Sequence, residues 1–165
     1  MNHRIWKTSF LSVVVGGLLL ISSVGCQNKT PSIDGNYILD HRVLPDGKQQ
    51  RWPDVAGLMT MHDGYRNFNV YWSENGKPLS ISTIARYWFD GHQYTEESVY
   101  YMENRPDTAP KYITTPQRAS ASVTEMDGKM QFKLPLHGEP DVTFTEEGMT
   151  ATRAGAFTDY WKRVK

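Results

Sequence analysis

The sequence holds a single cysteine, Cys26, among 165 residues, so no disulfide can form within the chain. It has no surplus of charge either: 18 Lys and Arg balance 18 Asp and Glu, which leaves no basis for binding nucleic acid or an anionic surface by charge. No apolar run reaches the roughly 20 residues that span a bilayer as a helix; the candidate, Phe10 to Val24, is short and contains two glycines. From Ile33 onward no segment of useful length shows helical periodicity. Chemical motifs are missing as well, with no Gly-x-Ser-x-Gly elbow, His-Glu-x-x-His or phosphate loop. The histidines at 41, 62, 92 and 137 have no metal-motif spacing, and His62 and His92 adjoin turns, where exposed polar residues are expected. Glu96 and Glu97 are consecutive on a strand and face opposite ways, so they cannot form a carboxylate dyad. No catalytic residue, metal or cofactor is assigned.

What is present begins with an address. Met1 to Ser9 carries Arg4 and Lys7 without an acid, the apolar run comes next, and Gly25-Cys26 ends it, which is the order of a secretory signal. Ser23-Val24-Gly25-Cys26 resembles the lipobox of bacterial lipoproteins, with Ser23 where leucine is usual. That resemblance implies cleavage before Cys26, lipidation of its thiol and N-terminus by palmitate-type chains, and anchorage to a membrane. Each buried methylene contributes about 0.8 kcal/mol, so several chains hold the protein there. Gln27 follows the cysteine, and the absence of Asp there implies, by the family's sorting habit in enterobacteria, the outer membrane if the organism has one. The alternative is an ordinary signal peptide followed by a stray cysteine. The expected organisation is a signal peptide over 1–25, lipidated Cys26 and a polar tether over 26–32, and one domain over 33–165. Loss of Arg4 and Lys7 leaves 16 basic residues against 18 acidic, a net charge of −2.

The domain alternates strand and turn signals. Leu79 to Met102 contains two arms rich in β-branched and aromatic residues around Asp90-Gly91, expected to form a two-residue type I′ turn with positive φ at both positions. Ten strands are predicted, over 35–41, 56–62, 66–72, 79–89, 93–102, 117–125, 129–134, 141–146, 149–154 and 157–164. The even connections, Asp63-Gly64, Asp90-Gly91, Asp127-Gly128 and Glu147-Gly148, are tight. Most odd ones are longer and carry proline: 41–55, 73–78, 104–116 and 135–140. In an antiparallel meander this stitches one end shut and rings the other with loops.

A flat sheet of ten strands leaves both edges open and neither face well buried, so closure is expected: an all-β, up-and-down antiparallel β-barrel of about 8–10 strands. With Gly35-Asn36-Tyr37 on the first strand and Trp161-Lys162-Arg163 on the last, the chain resembles the lipocalin and fatty-acid-binding superfamily, and among these the bacterial lipocalin-like lipoproteins. That resemblance implies that Tyr37 takes the aromatic place beneath Arg163 and that the two close the barrel base. Tyr stands where the family has Trp. Thr158-Asp159-Tyr160 spells another lipocalin triplet, but on the last strand instead of a mid-barrel turn.

Inward candidates come from alternation: Phe68, Val70 and Trp72; Leu79, Ile81, Thr83, Ala85 and Tyr87; Met130, Phe132 and Leu134; Val142 and Phe144. Of these, Val70, Trp72, Leu79, Ile81 and Val142, with Met102, are expected to contact a ligand near the open end, with Trp52 and Tyr112 as loop lids. An arginine inside, from among Arg66, Arg86 and Arg118, would demand a counter-charge and so suggest an anionic ligand head. The reading is a membrane-tethered protein that binds a small hydrophobic or amphiphilic ligand without a cofactor. The alternative is a filled barrel whose loops contact an envelope protein partner.

Overall fold

The structure, a computed structural model, describes residues 32–164; Cys26 and the signal-like segment lie outside the described residues. The described chain is antiparallel sheet without a helix. Its strands are β1 (Gly35–Val43), β2 (Gln49–Gln50), β3 (Val55–His62), β4 (Tyr65–Glu74), β5 (Lys77–Phe89), β6 (Gln93–Asn104), β7 (Lys111–Ile113), β8 (Gln117–Ser122), β9 (Thr124–Met126), β10 (Lys129–Lys133), β11 (Asp141–Phe144), β12 (Gly148–Arg153) and β13 (Phe157–Val164). They form one sheet in the order β7-β6-β5-β4-β3-β1-β13-β12-β11-β10-β9, with β2 on β1 and β8 on β6.

The sheet is not closed into a barrel. Its path has two ends, with β7 and β8 on β6 and β9 on β10. The expected strand over 117–125 breaks at Val123: the first part pairs with β6, from Gln93↔Ser122 to Ser98↔Gln117, and the second pairs with β10. Val123 donates its N–H to the carbonyl of His92 at 2.7 Å, which commits the break to β6. β8 approaches β10 within 8 Å between Cα atoms without a ladder joining them.

Turns differ from expectation in three places, one of them Glu147-Gly148, where Gly148 opens β12 and the connection is residues 145–147. Asp90-Gly91 is part of a three-residue connection that includes His92; only Gly91 has positive φ, because the Asp90 carboxylate accepts the N–H groups of His92 and Gln93 and holds the turn itself. The connection over 73–78 is no loop. Asn75 and Gly76, at φ 52° and 73°, make a two-residue turn, and Ser73 pairs with Pro78 within the ladder. The register puts the 63–64, 90–92, 127–128 and 145–147 connections at one end, together with residue 32 and residue 164. The other end carries residues 44–54, 75–76, 105–116, 134–140 and 154–156.

A row of opposed residues marks each level of the inner face. Tyr37, Met59, Phe68, Thr83 and Tyr101 succeed one another across β1, β3, β4, β5 and β6. The core concentrates at the stitched end, where Tyr87, Tyr94, Phe132, Phe144 and Tyr37 form a chain of ring contacts 4.7–5.9 Å apart. Tyr37 is fully buried, which pushes its phenol up to about 12, and the Arg163 guanidinium lies 5.0 Å over its ring. Arg163 also donates to the carbonyls of Asp34 and Ser32. Gly35 lies beneath it, at φ 156°, and a Cβ there would stand 2.8 Å from the guanidinium, which would have to shift.

Candidate ligand cavity

Toward the loop end that chain of ring contacts gives way to a cavity of about 250 Å³, walled in part by Phe68, Trp72, Tyr101, Phe157 and Trp161. Its walls alternate from the same strands that build the core. Arg66, Phe68, Val70 and Trp72 come from β4, Met149 and Ala151 from β12, and Asp159 and Trp161 from β13. The indole of Trp161 crosses the inner face to Gly57, where a Cβ would stand 2.5 Å from its ring. Glycine at that position gives the ring its place in the wall.

Two buried ion clusters stand in this apolar wall. Arg66 reaches Glu96 at 2.8 Å and Glu139 at 2.5 Å, and Tyr94 donates to Glu96 at 2.6 Å. The register Arg66↔Ala85↔Ser98 puts alanine, fully buried, between the strands that carry Arg66 and Glu96, which leaves room for the guanidinium to cross. Burial pulls the Arg66 guanidinium down, but the Glu139 and Glu96 charges outweigh it and hold it protonated. Burial raises the Glu139 carboxyl above the usual glutamate range, against the pull of Arg66. The second cluster is Arg42 with Asp159, bonded through Nε at 2.7 Å and Nη2 at 2.8 Å. Its guanidinium lies 5.1 Å from the ring centre of Trp72 and 4.0 Å from that of Phe157. Burial raises the Asp159 carboxyl in the same way.

A third polar group sits at the edge of the cavity. His137 shares a hydrogen bond of 3.1 Å between Nε2 and the Ser98 hydroxyl, and its ring stacks on Tyr101 at 4.0 Å. Burial lowers the imidazole, so it is neutral near pH 7, and burial raises the Tyr101 phenol to about 12. The pair has the first two members of a nucleophile–base–acid set and stops there: no carboxylate bonds Nδ1 among the described residues, and Ser98 does not line the cavity. No group of three His, Cys, Asp or Glu that could hold a metal is found among the described residues.

Of the residues expected to contact a ligand, Val70, Trp72 and Ile81 line the cavity. Leu79 and Val142 are buried elsewhere on the inner face. Met102 points away, because Val99 is bulged out of β6: Ala85 pairs with Ser98 while Ile84 pairs with Tyr100, and every side chain beyond changes face. The same bulge turns Tyr101 and Glu103 inward. Trp52 is 81% exposed and Tyr112 62% exposed, and neither covers the cavity. Of the three arginines considered, Arg66 is interior, while Arg86 and Arg118 are exposed, the latter over Trp88 at 4.6 Å; Arg42 is a second interior arginine. The counter-charge that an interior arginine demands comes from Glu96 and Glu139, not from a ligand.

Sequence reasoning missed Arg42, Glu96, His137, Glu139, Asp159 and Trp161. Glu96 was within reach, since alternation from the aromatic Tyr94 turns it inward. Asp159 sits in the Thr158-Asp159-Tyr160 triplet, and its partner Arg42 lies one residue past the predicted end of the first strand. Compared with known protein families, curated proteins and solved structures, the chain gives no match.

Proposed function

We propose that the protein is a lipid-tethered, lipocalin-like carrier of the bacterial envelope that holds a small amphiphilic molecule, non-covalently and without a cofactor, in the cavity at its loop end. The observation that carries this reading is the cavity itself: about 250 Å³ inside the sheet, with an apolar body and, at Arg42 and Arg66, charged groups fixed by partners. Ligand sites combine those features, and this volume lies just under the ~300–1,000 Å³ usual for drug-sized ligands, so the occupant is small. The barrel expected from sequence enters as part of the proposal; what supports it is that residues 117–122 pair with β6 and residues 124–126 with β10, so one stretch of chain links the two sides of the open sheet. Lipidation of Cys26 would tether the chain at the stitched end, since residue 32 lies there, and the mouth would face away from the membrane.

A second reading has its own observation. Trp52 and Tyr112 are large, exposed aromatics on loop-end segments, and they suit contact with an envelope protein partner. A panel of fluorescent fatty acids and isoprenoids separates the two, tested on residues 27–165, which hold β1 to β13. Saturable binding that quenches the cavity tryptophans Trp72 and Trp161 supports the carrier. Failure of the whole panel favours the partner.

A further inference from the structure

A basin of about 440 Å³ adjoins the cavity, and Arg42, Trp72, Arg105, Arg153 and Phe157 line both. Those five residues are the neck between the two spaces, and three of them are arginines. Arg42 is the rigid one, sandwiched between Trp72 and Phe157 with Nε and Nη2 committed to Asp159; Nη1 has no hydrogen-bond partner among the described residues. Arg105 is engaged by Glu103 at 2.6 Å. The Arg153 side chain and the nearby Lys48 ammonium of the basin have no ion-pair or hydrogen-bond partner among the described residues.

The balance of charge changes sign along the cavity. At the neck and basin, Arg42, Lys48, Arg105 and Arg153 face Asp159, Glu103 and Glu74, and Glu74 already accepts from the Trp72 indole. One positive charge is left over, on the two side chains that lack partners. Deeper in, the single cation Arg66 is met by two carboxylates. An anion is therefore attracted at the neck and finds no free cation inside.

We infer that the neck is an oxyanion site and that the occupant is an amphiphile with one anionic head. The head lies among Arg42 Nη1, Arg153 and Lys48, and a short apolar body lies against Phe68, Val70 and Ile81. The inference rests on the carrier reading and adds the sign of the head and its direction, head outward. A carboxylate, sulfate or phosphate would meet the same donors.

The test is calorimetric titration of the purified protein at one ionic strength with octanoate, octyl sulfate, octyl phosphate, octan-1-ol and octyltrimethylammonium, repeated with the variant Lys48→Gln/Arg153→Gln. Both positions are exposed, so the variant keeps the fold. The expected result is that the anions bind about tenfold tighter than the alcohol and the ammonium binds weakest. In the variant the anions lose about three- to tenfold while octan-1-ol is unchanged, the size that two solvent-facing charge contacts supply. The order among the three anions identifies the head group. An alcohol that binds as tightly as the anions, or anion affinity untouched in the variant, overturns the oxyanion site and leaves the carrier reading standing. Absence of binding by all five overturns both.

Discussion

Arg66 is the residue on which the interior depends most. Its guanidinium is buried between Glu96 and Glu139, so removing it leaves two carboxylates in an apolar wall with no cation. Arg66→Met is expected to cost about 3–5 kcal/mol in urea unfolding, and adding Glu96→Gln to recover part of that loss. Additive losses from the two changes would contradict the pairing. Glu139 carries a pH dependence of its own. Burial raises its carboxyl in the folded state, so the folded chain takes up this proton at a higher pH than the unfolded chain. The contribution is fully present below the ordinary glutamate value of about 4.3 and is lost as pH rises through the elevated folded one. From pH 7 down to about 4.5, the wild type should therefore gain stability relative to Glu139→Gln, read as the difference between their urea midpoints. A difference that stays constant over that window would show that Glu139 is not raised. Sequence alone reached Arg66 as one of three arginines with an undecided face. It could not reach Glu139, because that residue comes from a connection whose path no strand alternation fixes.

At the scale of the element, period two and turn chemistry made the regular parts legible. The strands from Val55 to Phe89 and the two-residue alternation of their faces, Arg66 and Thr83 being the polar positions that turn inward, follow period two, and Asp63-Gly64 and Asp127-Gly128 take the positive φ values that such turns need. The places where the pattern slips were not legible. A single bulged residue, Val99, reverses the faces of Tyr100, Tyr101 and Met102, and no propensity marks it. The break at Val123 is of the same kind, since the small residues Ala119, Ser120, Ala121 and Ser122 before it pair equally well in one long strand or two short ones. Gly57 shows the reverse case, a strand glycine with a packing reason. A Cβ there meets the Trp161 ring at 2.5 Å and the Leu39 Cβ at 3.2 Å. Gly57→Ala is expected to cost about 1–3 kcal/mol and to displace the Trp161 ring from its bed on β3. Unfolding midpoints check the first and near-ultraviolet circular dichroism the second. A variant as stable as wild type, with unchanged aromatic signals, would mean that the ring does not rest there.

For the whole molecule, the organising feature is a division along the strands. The stitched end is filled by stacked rings and holds both ends of the described chain, and the loop end holds the cavity, its paired charges and the cationic neck. The sequence carried that division through the contrast between short Gly-containing turns and long Pro-containing connections. It did not carry the polarity of the cavity, because the charged partners are far apart in the chain: Arg42 with Asp159, and Arg66 with Glu96 and Glu139. The central claim is that this cavity holds a small amphiphile. Native mass spectrometry of residues 27–165, purified from the protein's own host without detergent, tests it most directly. The account predicts a discrete added mass of a small anionic amphiphile that leaves on denaturation. A spectrum of apo protein alone, from a preparation that also fails to take up any member of the lipid panel, would contradict it.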